Sequence, residues 1–136
     1  MATAPLAPAP LPFIHPDDMP DVYALTGVGT CMEPLLQDGA LVAFDKRREP
    51  VPGDIVGLIF TREAALRRNL PGSLKRLVMA LPPAGFDGLI VAEQINPHRV
   101  YSFPTTDVLA VHKCVGRVTK LPDGSTVYRP ADEGIR

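Results

Sequence analysis

Glu49-Pro50-Val51-Pro52-Gly53-Asp54 runs directly into Ile55-Val56-Gly57-Leu58-Ile59-Phe60. Prolines, a glycine and an aspartate make a turn, and the six apolar residues behind it read as a strand. The same grammar repeats outward in both directions. Upstream, Asp38-Gly39 is a tight-turn pair ahead of a strand at 40–45, and 22–28 is an earlier strand bounded by Gly27 and Gly29. Downstream, 89–95, 100–103 and 108–121 read as strands, and Asp123-Gly124 turns the chain into a last short piece at 125–129. Residues 73–81 are apolar except at Lys75 and Arg76, and Pro82-Pro83 stops them. Only 61–72 has a different texture, with three Arg, one Glu and a Pro-Gly turn; a short helix around 63–69 and a mobile loop both fit it. Seven or so short strands separated by turns predict a mostly β fold. The sheet would be a folded-over antiparallel one or a partly open barrel, with a short helical turn near residue 31.

Composition points the same way. The 136 residues suit one domain, and 46% of them are hydrophobic, enough for a buried core. Proline (16) and glycine (11) make up about a fifth of the chain, which excludes a helical bundle because both weaken helix interiors. Six of the prolines fall in the first 20 residues, alternating with Ala and Leu. That stretch, 1–20, is read as an extended leader or linker, 21–129 as the folded domain and 130–136 as a tail.

A formal charge of -1, with 14 basic against 15 acidic residues, gives no clustered positive surface for phosphate, so direct nucleic-acid binding is not expected. No apolar run reaches the length of a membrane-spanning helix, and no Lys or Arg precedes Lys46, so neither a membrane anchor nor a signal peptide is expected. Two cysteines, Cys31 and Cys114, are too few for a secreted disulfide framework, and a cytoplasmic protein with reduced thiols follows. The histidines His15, His98 and His112 show no metal-ligand spacing with either cysteine, so no metal or other cofactor is expected.

Two residues carry chemistry. Cys31 lies in Gly27-Val28-Gly29-Thr30-Cys31-Met32, a turn leading from a strand toward a short helical turn, where backbone N–H groups converge and can stabilise an oxyanion. Lys75 lies in Leu74-Lys75-Arg76-Leu77-Val78; on a strand it shares a face with Leu77, while Arg76 points the other way. A lysine on an apolar face loses hydration and becomes easier to deprotonate. The plain readings compete: a buried cysteine is commonly a small hydrophobe, and a strand lysine commonly reaches for water.

The order of motifs adds a resemblance. Gly29-Thr30-Cys31-Met32-Glu33-Pro34, Asp38-Gly39, Pro52-Gly53-Asp54-Ile55-Val56, Leu74-Lys75-Arg76-Leu77, Asn96-Pro97 and Val115-Gly116-Arg117-Val118 follow one another. This resembles the self-cleaving peptidase domain of the LexA family, which includes phage repressors and UmuD-type proteins and is related to type I signal peptidases. The resemblance covers 22–121 and implies a mostly β domain with a Ser/Lys dyad acting on a peptide bond, in a substrate or in the chain itself. It makes Lys75 the general base, puts the oxyanion-hole amides at Thr30 and Cys31, and places Cys31 where the family has its nucleophilic serine. The chain departs from the pattern there, at Gly39-Ala40 in place of Gly-Asp, and in the insertion at 61–72.

Three readings of Cys31 stay open on the sequence: a working cysteine peptidase, an impaired pseudo-peptidase, and an engineered replacement of serine. Solution pKa values favour thiolate and ammonium for a Cys/Lys pair. The larger sulfur, however, misplaces the attacking atom in a site shaped for oxygen. Family members cut themselves at Ala-Gly or Cys-Gly upstream of the nucleophile. Here the Ala-Gly pair is Ala84-Gly85, downstream of Lys75, and 1–20 is too short for a helix-turn-helix domain. The expectation is therefore a stand-alone peptidase domain similar to the processed UmuD type. The alternative is a non-catalytic module that pairs with itself or with an SOS or prophage-control protein. Of the remaining residues, Cys114 reads as core, Arg62, Arg67 and Arg68 as a solvated cluster, and Asp54 and Asn96 as turn residues serving the backbone. By resemblance, Arg117 and Lys120 lie where a homodimer would pair.

Overall fold

The structure is a computed structural model that describes residues 15–26, 31–33, 35–36, 38–124 and 126–130. Among these the chain forms β1 (Val22–Thr26), β2 (Leu41–Asp45), β3 (Ile55–Phe60), α1 (Arg62–Arg68) and β4 (Gly72–Leu77). Then follow β5 (Leu89–Gln94), β6 (Arg99–Pro104), β7 (Val108–Lys120) and β8 (Thr126–Pro130). All pairings are antiparallel, in the order β1-β2-β7-β3-β4-β5-β6, with β8 added beside β7. The fold is mostly β, as expected, and the sheet stays open rather than closing into a barrel.

The apolar run of β3 is explained by its position. Val56, Leu58 and Phe60 join Leu77, Ile90, Ala92 and Phe103 in one buried cluster. Ile55 belongs to another, with Met32, Leu36, Val42, Phe44 and Cys114. A strand covered on both faces has no polar side to show, so its sequence reads as unbroken hydrophobics. Gly57 interrupts the run because the Phe44 ring occupies the space a Cβ would need, with ring carbon Cε1 2.9 Å from that position. The register shifts opposite Ala43/Phe44 of β2 and opposite Ile59/Phe60 of β3, leaving Val115 and Leu109 as the extra residues on β7, where they add twist.

The turn before β3 is welded to the end of β4. Gly53 N donates to Leu77 O at 2.8 Å, and Leu77 N donates to Asp54 O at 2.8 Å. The Asp54 side chain, only 1% exposed, accepts from Val51 N at 2.9 Å and faces Lys113 Nζ at 3.3 Å. Asp54 thus serves the backbone as its turn position suggested, and it also ties the turn to β7.

At 61–72 the helix wins over the loop. Thr61 Oγ1 accepts from Ala64 N at 3.2 Å as N-cap, Asn69 closes the helix in the left-handed conformation (φ 56°), and Ala64 and Ala65 are buried. Gly72 begins β4 so close to β3 that a Cβ would sit 2.4 Å from the Leu58 carbonyl oxygen. Because that neighbour is backbone, Gly72→Ala is expected to lower stability by about 1–3 kcal/mol, read as a reduced urea midpoint with an unchanged slope.

The described end of the leader is not extended. Pro16–Asp18 form a 3-10 turn with Pro16 buried, and Lys46 Nζ donates to Pro16 O at 2.7 Å and to Met19 O at 2.9 Å. Residues 1–14 and 131–136 lie outside the described residues.

Candidate active site

Lys75 is presented from the middle of β4 and is 7% exposed. Strand periodicity gives it the same face as Ser73 and Leu77, and Ser73 Oγ accepts from its Nζ at 2.8 Å. A second bond runs from Nζ to Leu74 O at 3.2 Å. The Tyr101 ring of β6 lies beneath the amine, 5.4 Å from centroid to Nζ. Burial holds the Lys75 pKa below its usual value, and a charge on Cys31 acts in the opposite direction. Of the two, burial is the larger effect, so the site pulls the ammonium toward the free amine. The ready-made ion pair suggested by solution values is correspondingly weakened.

Cys31 opens the turn Cys31–Glu33, at the place of the short helical turn expected near residue 31, and Leu36 N donates to Met32 O at 2.9 Å. Its side chain is half-buried against the cluster around Met32 and Leu36. Its carbonyl oxygen accepts two bonds, from Ile95 N at 2.7 Å and Asn96 N at 2.8 Å. Both donors belong to the β5–β6 turn, and the Asn96–Pro97 peptide bond in that turn is cis. Thr30, expected to supply the other oxyanion amide, lies outside the described residues.

Cys31, Ser73 and Lys75 line one cleft of about 820 Å³, with aromatic walls from Tyr23, Phe44 and Tyr101. Among the described residues the hydrogen bonds of Lys75 go to Ser73 and Leu74, and none reaches the Cys31 sulfur. Nothing in the sequence marks Ser73 as a site residue except its spacing of two from Lys75 on a strand. Tyr101 and Gln94 were missed as well. Their place depends on how β5 and β6 fold back, which a single strand pattern does not show.

At the far side of the same wall, Tyr23 stacks on Phe44 with ring centroids 5.4 Å apart, and its hydroxyl lies 2.5 Å from His112 Nδ1. Burial pushes the Tyr23 phenol up to about 12. His112, 6% exposed, has its pKa held below 6.5 by burial first and by the Lys46 charge second. Neutral His112 is therefore the folded form, and the unfolded chain takes up the proton first as pH falls. Its contribution is present above 6.5 and is lost as pH falls from there to the folded pKa. Relative to His112→Gln, wild-type stability is expected to decline across that window by up to about 1.4 kcal/mol per pH unit. Thermal melts between pH 8 and pH 5 (roughly, spanning the ordinary histidine range) provide the check.

The other singled-out residues take structural places. Cys114 is 2% exposed, and burial raises its thiol pKa to about 11. Arg67 and Arg68 both pair with Asp107, at 2.8 and 3.2 Å, and Arg68 also lies over the Phe60 and Phe103 rings, 5.1 and 5.0 Å away. Arg68 is thus a packed residue of the cleft wall rather than part of a solvated face. Arg117 donates within the chain to the Leu35 carbonyl. Among the described residues no three His, Cys, Asp or Glu side chains converge as metal ligands, and no helix is long and apolar enough to cross a membrane. No protein-family model, curated protein or solved structure matches the chain.

Proposed function

We propose that the chain is a LexA-type peptidase domain in which Cys31 is the nucleophile and Lys75 the general base. The carrying observation is a buried lysine, its pKa held down by burial, lining one apolar cleft with Cys31. In the proposed reaction the Lys75 amine takes the thiol proton, and the Cys31 sulfur attacks a peptide carbonyl carbon. The oxyanion is met by backbone N–H groups at Cys31 and Thr30. Collapse breaks the C–N bond as the Lys75 ammonium returns its proton to the leaving amine, leaving a thioester. A water deprotonated by Lys75 then hydrolyses the thioester to a carboxylic acid and the free thiol. Ser73 orients the amine throughout, since its hydroxyl can accept from an ammonium or donate to an amine.

One observation favours the second reading, an impaired pseudo-peptidase acting as a regulatory or dimerising module. Lys75 bonds Ser73 and Leu74 rather than the Cys31 sulfur. A single experiment separates the two. An unfolded protein mixture is incubated at mildly alkaline pH with the wild type, Cys31→Ala, Cys31→Ser and Lys75→Ala, and new termini are identified by mass spectrometry. Cuts made by the wild type and abolished in Cys31→Ala and Lys75→Ala support the cysteine peptidase. Cuts made only by Cys31→Ser support the pseudo-peptidase. Identical fragments from wild type and Cys31→Ala, with equal thiol reactivity of wild type and Lys75→Ala, overturn the dyad.

A further inference from the structure

Cys31 and Lys75 come from segments with no direct hydrogen bond between them among the described residues, so something else must fix their separation. On the Lys75 side, Ser73 and Leu74 hold the amine from its own strand. On the Cys31 side the anchor is remote in sequence: Ile95 N and Asn96 N, both donating to its carbonyl oxygen. The turn carrying those two donors is braced from inside the β5–β6 hairpin. Gln94 Nε2 donates to Pro97 O at 3.0 Å, and Gln94 Oε1 accepts from the Tyr101 hydroxyl at 3.2 Å. Glu93 adds an outer brace through His98 Nε2 at 2.7 Å, and it also accepts from Arg76 Nε of β4 at 2.8 Å. The Tyr101 ring that begins this chain of contacts is the one lying under the Lys75 amine.

We propose that the β5–β6 hairpin sets the distance between Cys31 and Lys75, with Gln94 and Tyr101 as positioning residues. The inference rests on the Cys31/Lys75 reading and deepens it. One side-chain amide joins the two halves: its donor end steadies the turn that holds Cys31, and its acceptor end steadies the ring that faces Lys75. Tyr101 contributes two separable things, a ring against the amine and a hydroxyl against Gln94. Removing the hydroxyl alone leaves the core contacts of the ring with Phe103 in place, at 6.0 Å between centroids.

The test uses two nearly isosteric variants of the full chain, Tyr101→Phe and Gln94→Met, beside wild type and Lys75→Met. The Tyr101 change removes one O–H. The Gln94 change removes the amide's donor and acceptor without adding a charge. The readout is the pH profile of Cys31 alkylation by iodoacetamide, assigned by peptide mapping so that Cys114 is counted separately. Both hairpin variants are expected to move the profile in the same direction as Lys75→Met and to change the rate at neutral pH by about fivefold. Thermal midpoints should stay near wild type, because a purely structural role would move stability and leave the profile in place. A response to Lys75→Met with none to either hairpin variant overturns this inference and leaves the dyad standing. No response to Lys75→Met overturns the dyad, and the positioning role falls with it.

Discussion

Lys75→Met is expected to abolish activity and raise stability at once. Cys31-dependent peptide cleavage should fall by at least about 100-fold, the usual scale for losing a general base. The stability gain follows from the burial of the amine. Lys75 has its pKa lowered in the folded protein, so between that value and 10.5 the unfolded chain binds the proton more readily. The resulting penalty is absent above 10.5, grows as pH falls toward the folded pKa, and is complete below it. Methionine fills a similar volume without a charge to desolvate. A gain of about 1 kcal/mol is expected at neutral pH, or about 4 °C in midpoint. The gain should shrink as the comparison is moved to alkaline pH. A variant that loses activity and stability together would show that Lys75 is there for packing.

Asp54→Ala carries the largest expected cost to the fold, about 3–5 kcal/mol. The carboxylate is almost wholly buried, accepts from Val51 N and faces Lys113. Its loss leaves a backbone donor unmatched and strands the Lys113 ammonium on β7, whose side chain is 15% exposed. Against a typical domain stability of about 5–15 kcal/mol, that fraction is large enough for partial unfolding at moderate temperature. Asp54→Asn keeps an oxygen for Val51 N and should lose clearly less. Chemical denaturation of both variants is the measurement, and equal losses would mean that the ion pair with Lys113 contributes nothing beyond shape.

Most of the sheet could be read from the chain because its turns are built from residues with few alternatives. Asp38-Gly39, Pro52-Gly53-Asp54 and Asp123-Gly124 punctuate it, and Gly39, Gly53 and Gly124 all have positive φ (86°, 96° and 88°). The side of β4 that carries Lys75 followed from alternation alone. The site itself was only half readable. Ser73 leaves a weak mark, since a serine in a strand is ordinary until the strand's neighbours are known. The anchor of Cys31 on Ile95 and Asn96 joins segments far apart in sequence, which no local pattern encodes. The same is true of Arg68, which reads as one of three surface arginines until α1 places it over Phe60 and Phe103. The two bulges on β7, at Leu109 and Val115, had no compositional sign, because a shift of register changes pairing and not residue type.

The thirteen residues of β7 pair with β2, β3 and β8. Leu41 meets Val118 and Phe60 meets Val108, so these ladders close only after most of the chain has been made. On a ribosome, β3 would emerge with one edge waiting for a strand that arrives some fifty residues later (roughly a few seconds at ordinary elongation rates). Such long-range closure places the domain among slow folders, on the order of milliseconds to seconds. The last strands of the chain would thus determine when the first ones become safe from aggregation. A nascent chain stalled before β7 would leave β3 paired with β4 on one side and open as a sticky edge on the other.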